Sequence, residues 1–294
     1  MNKKFCNLLI LCLIICMLSG CSKAKKSNDK SDIDVNALID EATKNIESIE
    51  TGTIDINLLC DVDAGDLGTA AVNVESISKT NGKQYQSDLN ATLTATGSIK
   101  TLLTEEDDKD SFEIIEKNYY DSETNTKYTY HDEDDTWVYS ESIENESDMQ
   151  SSIEIFSGIK ELATNMEYVG TEKNNYIIEI TPDTEKLSEL ISNKIGINKT
   201  NTDELIKQLD TKNTKIILSI DEDTRQVNRA ELSIKNVDLT NNDASIKVNT
   251  FEITIELDTK SNVIIDFKDI EKTAISEDEY YGLTEPPLNE TETE

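Results

Sequence analysis

The sequence predicts an α+β domain built on one large antiparallel sheet, wet on one face and covered by helices on the other. Three observations lead there. From residue 53 onward apolar and polar residues alternate with a period of two in stretch after stretch, as they do in half-buried strands. Turn signals at hairpin spacing separate these stretches. One amphipathic helical pattern precedes them, and further helical patterns interrupt them in mid-chain.

The leading helix is expected over about 33–48, because Val35, Leu38, Ile39, Ala42, Ile46 and Ile49 recur at three- and four-residue steps and make one apolar stripe. Asp32 and Asp34 stand at its start, where a carboxylate suits the unpaired amides, and Gly52 marks its exit. In 53–63, Ile54, Ile56, Leu58, Cys60 and Val62 then share one side, while Asp55, Asn57, Asp61 and Asp63 take the other. Further strands read as 69–79, 83–96, 112–120, 126–131 and 136–141, with Asn81-Gly82 as a hairpin signal and 104–110 as a charged connection.

A helix is expected over 149–166 from Ile155, Ile159, Leu162 and Met166, followed by a strand over 174–181. Thr181-Pro182 reads as the N-cap and first turn of another helix, with Leu187, Leu190 and Ile191 on its buried face. A short helix is expected over 202–209, with Asn201 and Glu204 in capping-box spacing. The last strands carry Ile216, Leu218 and Ile220, then Asn228, Ala230, Leu232 and Ile234, then Phe251, Ile253, Ile255 and Leu257, with 262–268 closing the set. The segment 276–294 is acidic and proline-bearing and reads as a disordered tail, so the folded domain is expected over 33–275.

The N-terminus has another character. Lys3 and Lys4 precede an apolar run of 11 residues at 8–18, too short for a spanning helix of ~20 residues and suited to a signal-peptide core. Leu18-Ser19-Gly20-Cys21 follows and resembles the lipobox of bacterial lipoproteins. That resemblance implies cleavage of 1–20, a diacylglycerol on the Cys21 thiol, and anchoring to the outer face of the bacterial cell membrane through two acyl chains. Residues 21–32 then read as a flexible tether, whose Lys23, Lys25, Lys26 and Lys30 serve either to touch anionic headgroups or as a solvated spacer. After cleavage and acylation Cys60 is left as a lone cysteine, expected as a buried inert thiol with no disulfide.

The order of elements, and three stretches in particular, resemble the lipoprotein-carrier superfamily, the LolA-like fold and the related LppX-like surface lipoproteins. The stretches are IESIETGTIDINLLCDV at 46–62, NYYDSETNTKYTYHDEDDTWVYSES at 118–142 and IILSIDEDTRQVNRAELSIKN at 216–236. The resemblance implies a strongly curved sheet, an incomplete barrel, with helices covering its concave side and acyl chains held in between. It implies an apolar concave face built from residues such as Ile54, Ile56, Leu58, Phe251, Ile253 and Ile255. The alternative is a structural or protein-interaction lipoprotein whose interior is filled by its own side chains.

Charge and composition narrow the chemistry. The chain has 294 residues, 60 of them Asp or Glu against 28 Lys or Arg, a net charge of −32 that repels phosphate backbones and disfavours nucleic-acid binding. His131 is the single histidine, so a His-rich metal site is excluded and a hydrolytic triad nearly so. Beside an acidic turn it reads as an exposed strand-end residue. The run 61–66 echoes an EF-hand, but Val72 stands where the closing glutamate belongs, and adjacent carboxylates at 132–135 point to alternate faces. Weak divalent-ion binding by the surface as a whole stays open. Tyr119, Tyr120, Tyr128, Tyr130, Trp137 and Tyr139 read as cross-strand packing, with a ligand-contacting platform as the second reading. No enzyme activity, cofactor or dedicated metal is expected.

Overall fold

The computed structural model describes residues 33–47, 49–103, 111–141, 160–183, 186, 215–238, 247–259, 263 and 265–284. The chain enters through α1 (Val35–Glu47), an amphipathic helix whose apolar stripe has the expected spacing. Asp34 caps it: its side chain accepts from Ala37 N at 3.1 Å and its carbonyl from Leu38 N at 3.0 Å. A meander follows: β1 (Thr51–Asp63), β2 (Thr69–Asn81), β3 (Gln84–Ala95), β4 (Ser111–Asp121), β5 (Thr126–His131) and β6 (Thr136–Glu141), with the short helix α2 (Gly97–Leu103) after β3. A second meander comprises β7 (Ala163–Glu172), β8 (Asn175–Pro182), β9 (Ile216–Asp221), β10 (Val227–Asp238) and β11 (Lys247–Asp258). The chain then forms α3 (Lys268–Thr273), β12 (Ile275–Ser276) and α4 (Glu277–Thr284).

All twelve described strands belong to one sheet, in the order β12-β6-β5-β4-β3-β2-β1-β11-β10-β9-β8-β7. The sheet is curved but its ends, β12 and β7, do not pair, so it stays open and no barrel closes. Every pairing is antiparallel except that of β12 with β6. The two meanders meet where β1 pairs with β11, in a register interrupted by one bulge at Asp61/Val62.

The core explains this order. Leu38, Ile39, Ala42 and Ile46 of α1 pack on Ile54 of β1, Leu257 of β11, Ala230 of β10, Leu218 and Ile220 of β9, and Ile178 and Ile180 of β8. Each large aliphatic chain buried there contributes about 1.5–3 kcal/mol. Polar contacts then fix the helix at its C-terminal end, where the Asn45 side chain donates to the carbonyls of Thr224 and Arg225 in the β9–β10 turn, at 3.1 and 3.2 Å. Lys160 pairs with Asp40 on its outer side. Among the described residues α1 is the helix that supplies the buried members of this cluster. The mid-chain helices expected over 149–159, 184–191 and 202–209 lie outside the described residues, apart from Lys186.

Several expectations are corrected. The helix expected to continue through residue 166 ends at 162, and Ala163–Glu172 is strand β7. Met166 and Tyr168 fit a period of two as well as a helical step. Pairing with Ile180 and Ile178 of β8, through a tight turn at Lys173 and Asn174 with φ of 49° and 64°, decides for the strand. Pro182 closes β8 and does not open a helix; Asp183 takes the capping role, its side chain accepting from Lys186 N at 3.2 Å. Among the described residues of 262–268 no strand forms. There Ile265 and Phe267 are buried without joining the sheet, because the Phe267 ring stands edge-on to Tyr119 and stacks on Tyr128. The stretch read as a tail begins with α4, which docks on the β5–β6 hairpin through Tyr280. Cys60, expected as a lone thiol, is disulfide-bonded, and every other cysteine of the chain lies outside the described residues. The lone-thiol expectation counts only the chain after cleavage, whereas all five cysteines are present in the full sequence.

One close approach fixes the end of the β1–β2 and β3–α2 connections. A Cβ on Gly68, where φ is +114°, would lie 2.1 Å from the Thr96 carbonyl oxygen, and Thr69 N donates to Thr96 Oγ1 nearby at 3.0 Å. Gly68→Ala should therefore lower the stability by about 1–3 kcal/mol. Gly282→Ala in α4, with nothing within 4 Å of the added carbon, should cost nothing measurable. Urea denaturation curves of the two variants, read at constant slope, check this.

Candidate functional site

Side chains at paired positions of neighbouring strands lie on the same face of a sheet. Traced outward from Leu58, that rule yields a row of apolar residues running across nine strands. Leu58 pairs with Val74 on β2, Val74 with Ala91 on β3, and Ala91 with Ile114 on β4. In the other direction Leu58 pairs with Ile253 on β11, Ile253 with Leu232 on β10, Leu232 with Ile216 on β9, Ile216 with Ile180 on β8, and Ile180 with Met166 on β7. Leu58, Ile114, Ile253, Leu232, Ile216 and Met166 are only half-buried.

The row runs between two buried belts. Toward α1 lie Ile54, 1% exposed and opposite Leu257, and Ile255, 9% exposed and opposite Ile56. Away from α1 lie Cys60 and Phe251, paired with each other and fully buried, and Val72 and Leu93. The six residues named from the sequence thus occupy one patch at the β1–β11 seam, but in two roles. Ile54, Phe251 and Ile255 are core, while Ile56, Leu58 and Ile253 are half-open to contact. Cys21 lies outside the described residues. The extension of the row through β2–β4 and β7–β10 escapes a sequence reading that treats each strand alone. Its signal is the same alternation, and only the register joins the rungs.

The opposite face is polar, carrying Asp55, Asn57, Glu75, Glu252 and Glu256 around the seam. Arg229 bridges Glu256 and Glu231 there, at 3.1 and 3.2 Å. Leu59 and Ile77 are the large apolar residues exposed on it near the seam, at 41% and 39%. On this face at the β4–β6 end the aromatic group assembles. Tyr119 meets Trp137 edge-on at 5.2 Å, and Tyr130 is tilted against Trp137 at the same distance. Phe267, from outside the sheet, stands edge-on to Tyr119 at 5.2 Å and stacks on Tyr128 at 6.0 Å. Burial raises the phenol pKa of Tyr119 and Tyr128, with nearby carboxylates adding to it. The rings therefore pack chiefly on one another, and Tyr120 lies on the other face, opposite Tyr85.

The acidic runs are engaged in turns. Asp63 accepts from Gly65 N at 2.9 Å, Asp135 accepts from the Tyr130 hydroxyl at 2.6 Å, and Asp134 from the Tyr280 hydroxyl at 2.7 Å. The two buried aspartates do the same work at strand ends: Asp121 accepts from Glu123 N, and Asp221 from Asp223 N and Thr224 N. Among the described residues no three His, Cys, Asp or Glu side chains converge as metal ligands would. His131 is half-buried and lies 4.4 Å from the Tyr280 ring.

No family model matches the chain, and no curated protein matches its sequence significantly. Solved structures similar to it include a LolA superfamily protein from Nitrosomonas europaea, 9% identical, with 79% of this chain and 96% of that chain covered at a TM-score of 0.20. They also include a DUF1329 family protein from Desulfovibrio piger, 13% identical, with 79% and 95% covered at a TM-score of 0.21. One neighbour thus comes from the superfamily the sequence resembles. Likenesses at these TM-scores carry no functional weight, and the site is defined by the sheet itself.

Two outcomes are expected. Ile54→Ala should cost about 2–4 kcal/mol, the usual penalty for a buried aliphatic truncation, whereas Leu58→Ala, already touching solvent, should cost under about 1.5 kcal/mol; paired denaturation curves check the difference. The Tyr280 hydroxyl has its pKa raised, first by its hydrogen bond to Asp134. Its contribution to docking is thus complete below the ordinary tyrosine value near ~10 and is lost as pH rises through the higher folded value. Near-ultraviolet circular dichroism should show that alkaline step in the parent and not in Tyr280→Phe.

Proposed function

We propose that this is an extracytoplasmic bacterial lipoprotein, held to the outer face of the membrane by a diacylglycerol on Cys21, whose apolar sheet face binds an acyl chain or another hydrophobic molecule without catalysing a reaction. The observation that carries the reading is the row of apolar rungs across nine strands, six of them half-exposed, in a chain where 60 of 294 residues are acidic. Leaving aliphatic side chains in contact with water costs about 25 cal/mol for each Å² of apolar surface, and a ligand's alkyl chain removes that cost. Each methylene so covered contributes ~0.8 kcal/mol, so affinity grows with chain length and needs no catalytic groups. A lipid-anchored protein also stands where such molecules are found.

A second reading has its own observation. At the α1 end the helix's Leu38, Ile39, Ala42 and Ile46 already occupy the face, as they would in an interaction lipoprotein with a filled interior. Native mass spectrometry of the Cys21→Ala chain, secreted from cells and purified without detergent, separates the two. A co-purifying lipid mass, or saturable uptake of a fluorescent fatty alcohol, supports the binding function; a bare polypeptide mass without uptake supports the filled interior. Cys21→Ala should also move the protein from the membrane fraction to the soluble one, checked by fractionation, and a protein that stays with the membrane would contradict the anchor.

A further inference from the structure

The apolar face is not apolar throughout. Across β2–β5 the positions beside the hydrophobic row turn polar: Ser78 pairs with Ser87, Ser87 with Asn118, and Asn118 with Thr129, all on the α1 side of the row. Ser78 and Ser87 are buried, the Ser78 and Tyr85 hydroxyls lie 3.2 Å apart, and Thr129 donates to Asn118 Oδ1 at 3.1 Å. Between this polar strip and the row sits Glu116, opposite Leu89 and two residues along β4 from Ile114. It is half-buried.

Charge is nearly absent from this face. On the described strands from β4 to β10 through the seam, every same-face partner of the row and of its neighbouring rungs is uncharged apart from Glu116. On the described strands the cation of the same face, Lys127, is exposed and lies opposite Tyr120, on the far side of the polar strip. A carboxylate beside aliphatic rungs, with hydroxyl and amide groups next to it and no cation beside it on the described strands, matches a ligand that has an alkyl chain and a cationic head. The field of the whole chain, at −32, acts in the same direction and works against anionic amphiphiles.

From this we infer that the ligand is a cationic amphiphile, its alkyl chain along the Leu58–Ile253 row and its ammonium-type head at Glu116 beside the Asn118 and Thr129 strip. The inference rests on the proposed binding function and specifies its ligand class. Calorimetric titrations of the Cys21→Ala chain with dodecylammonium and with dodecanoate, at moderate salt to screen the outer surface, test it. The parent should favour dodecylammonium by roughly tenfold or more, the size expected of one charge-assisted hydrogen bond. Glu116→Gln should abolish that preference. Glu113→Gln removes the same charge from the opposite face of β4 and should leave it intact.

Equal affinities, tighter binding of dodecanoate, or a preference that survives Glu116→Gln would overturn the inference and leave the acyl-chain reading standing. Failure of the parent to bind either probe would overturn both.

Discussion

The pairing of β1 with β11 is the contact on which the rest of the molecule depends. It joins residues almost two hundred positions apart and is the only link between the two meanders in the described sheet. Most neighbours on either side are joined by hairpins, whose closure costs little entropy, while β8–β9 and β6–β12 pair across longer connections. The seam is the longest closure, and the apolar pairs Ile54–Leu257, Ile56–Ile255, Leu58–Ile253 and Cys60–Phe251 stabilise it. A slip of one residue there would turn Asp55, Asn57 and Asp61 inward and the isoleucines outward, so register and burial enforce each other.

That register gives the apolar face its division of labour. At one end α1 supplies a lid of its own side chains, pinned to the β9–β10 turn by Asn45. At the other, Cys60 and Phe251 are fully buried. Six of the nine rungs between remain partly open, and a sheet with unpaired ends keeps its face from closing on itself as a barrel interior does. The polar face has the opposite economy. There carboxylates are held by turns, tyrosine hydroxyls and Arg229, and the aromatic group packs the β4–β6 end against Phe267 and α4.

How much of this was legible depended on the range of the interaction involved. The stripe of α1, the alternation of β1 and β11 and the Asn81-Gly82 turn are local patterns, and each yields the right element from its own residues. Met166 shows the limit: at one spacing it belongs to a helix with Leu162, at another to a strand with Tyr168, and only the partner strand β8 decides. Phe267 alternates correctly for a strand, yet an aromatic pocket on another part of the sheet claims its ring. Tyr280 lies in a stretch whose acidity suggests disorder, and its hydrogen bond to Asp134 brings α4 onto the hairpin. Of the candidate site, the seam residues are visible in sequence as alternation, whereas the nine-strand row and the place of Glu116 beside it exist only once register is known.

The central claim, that the half-buried rungs at the seam are where a hydrophobic molecule binds, is tested most directly by photolabelling. The Cys21→Ala chain would be irradiated with an uncharged alkyl diazirine alcohol and the modified residues mapped by peptide mass spectrometry. Label is expected on residues 56, 58, 232 and 253, with Leu59 and Ile77 of the opposite face unmodified. Label concentrated on Leu59 and Ile77, or scattered over the surface without saturation, would contradict the claim.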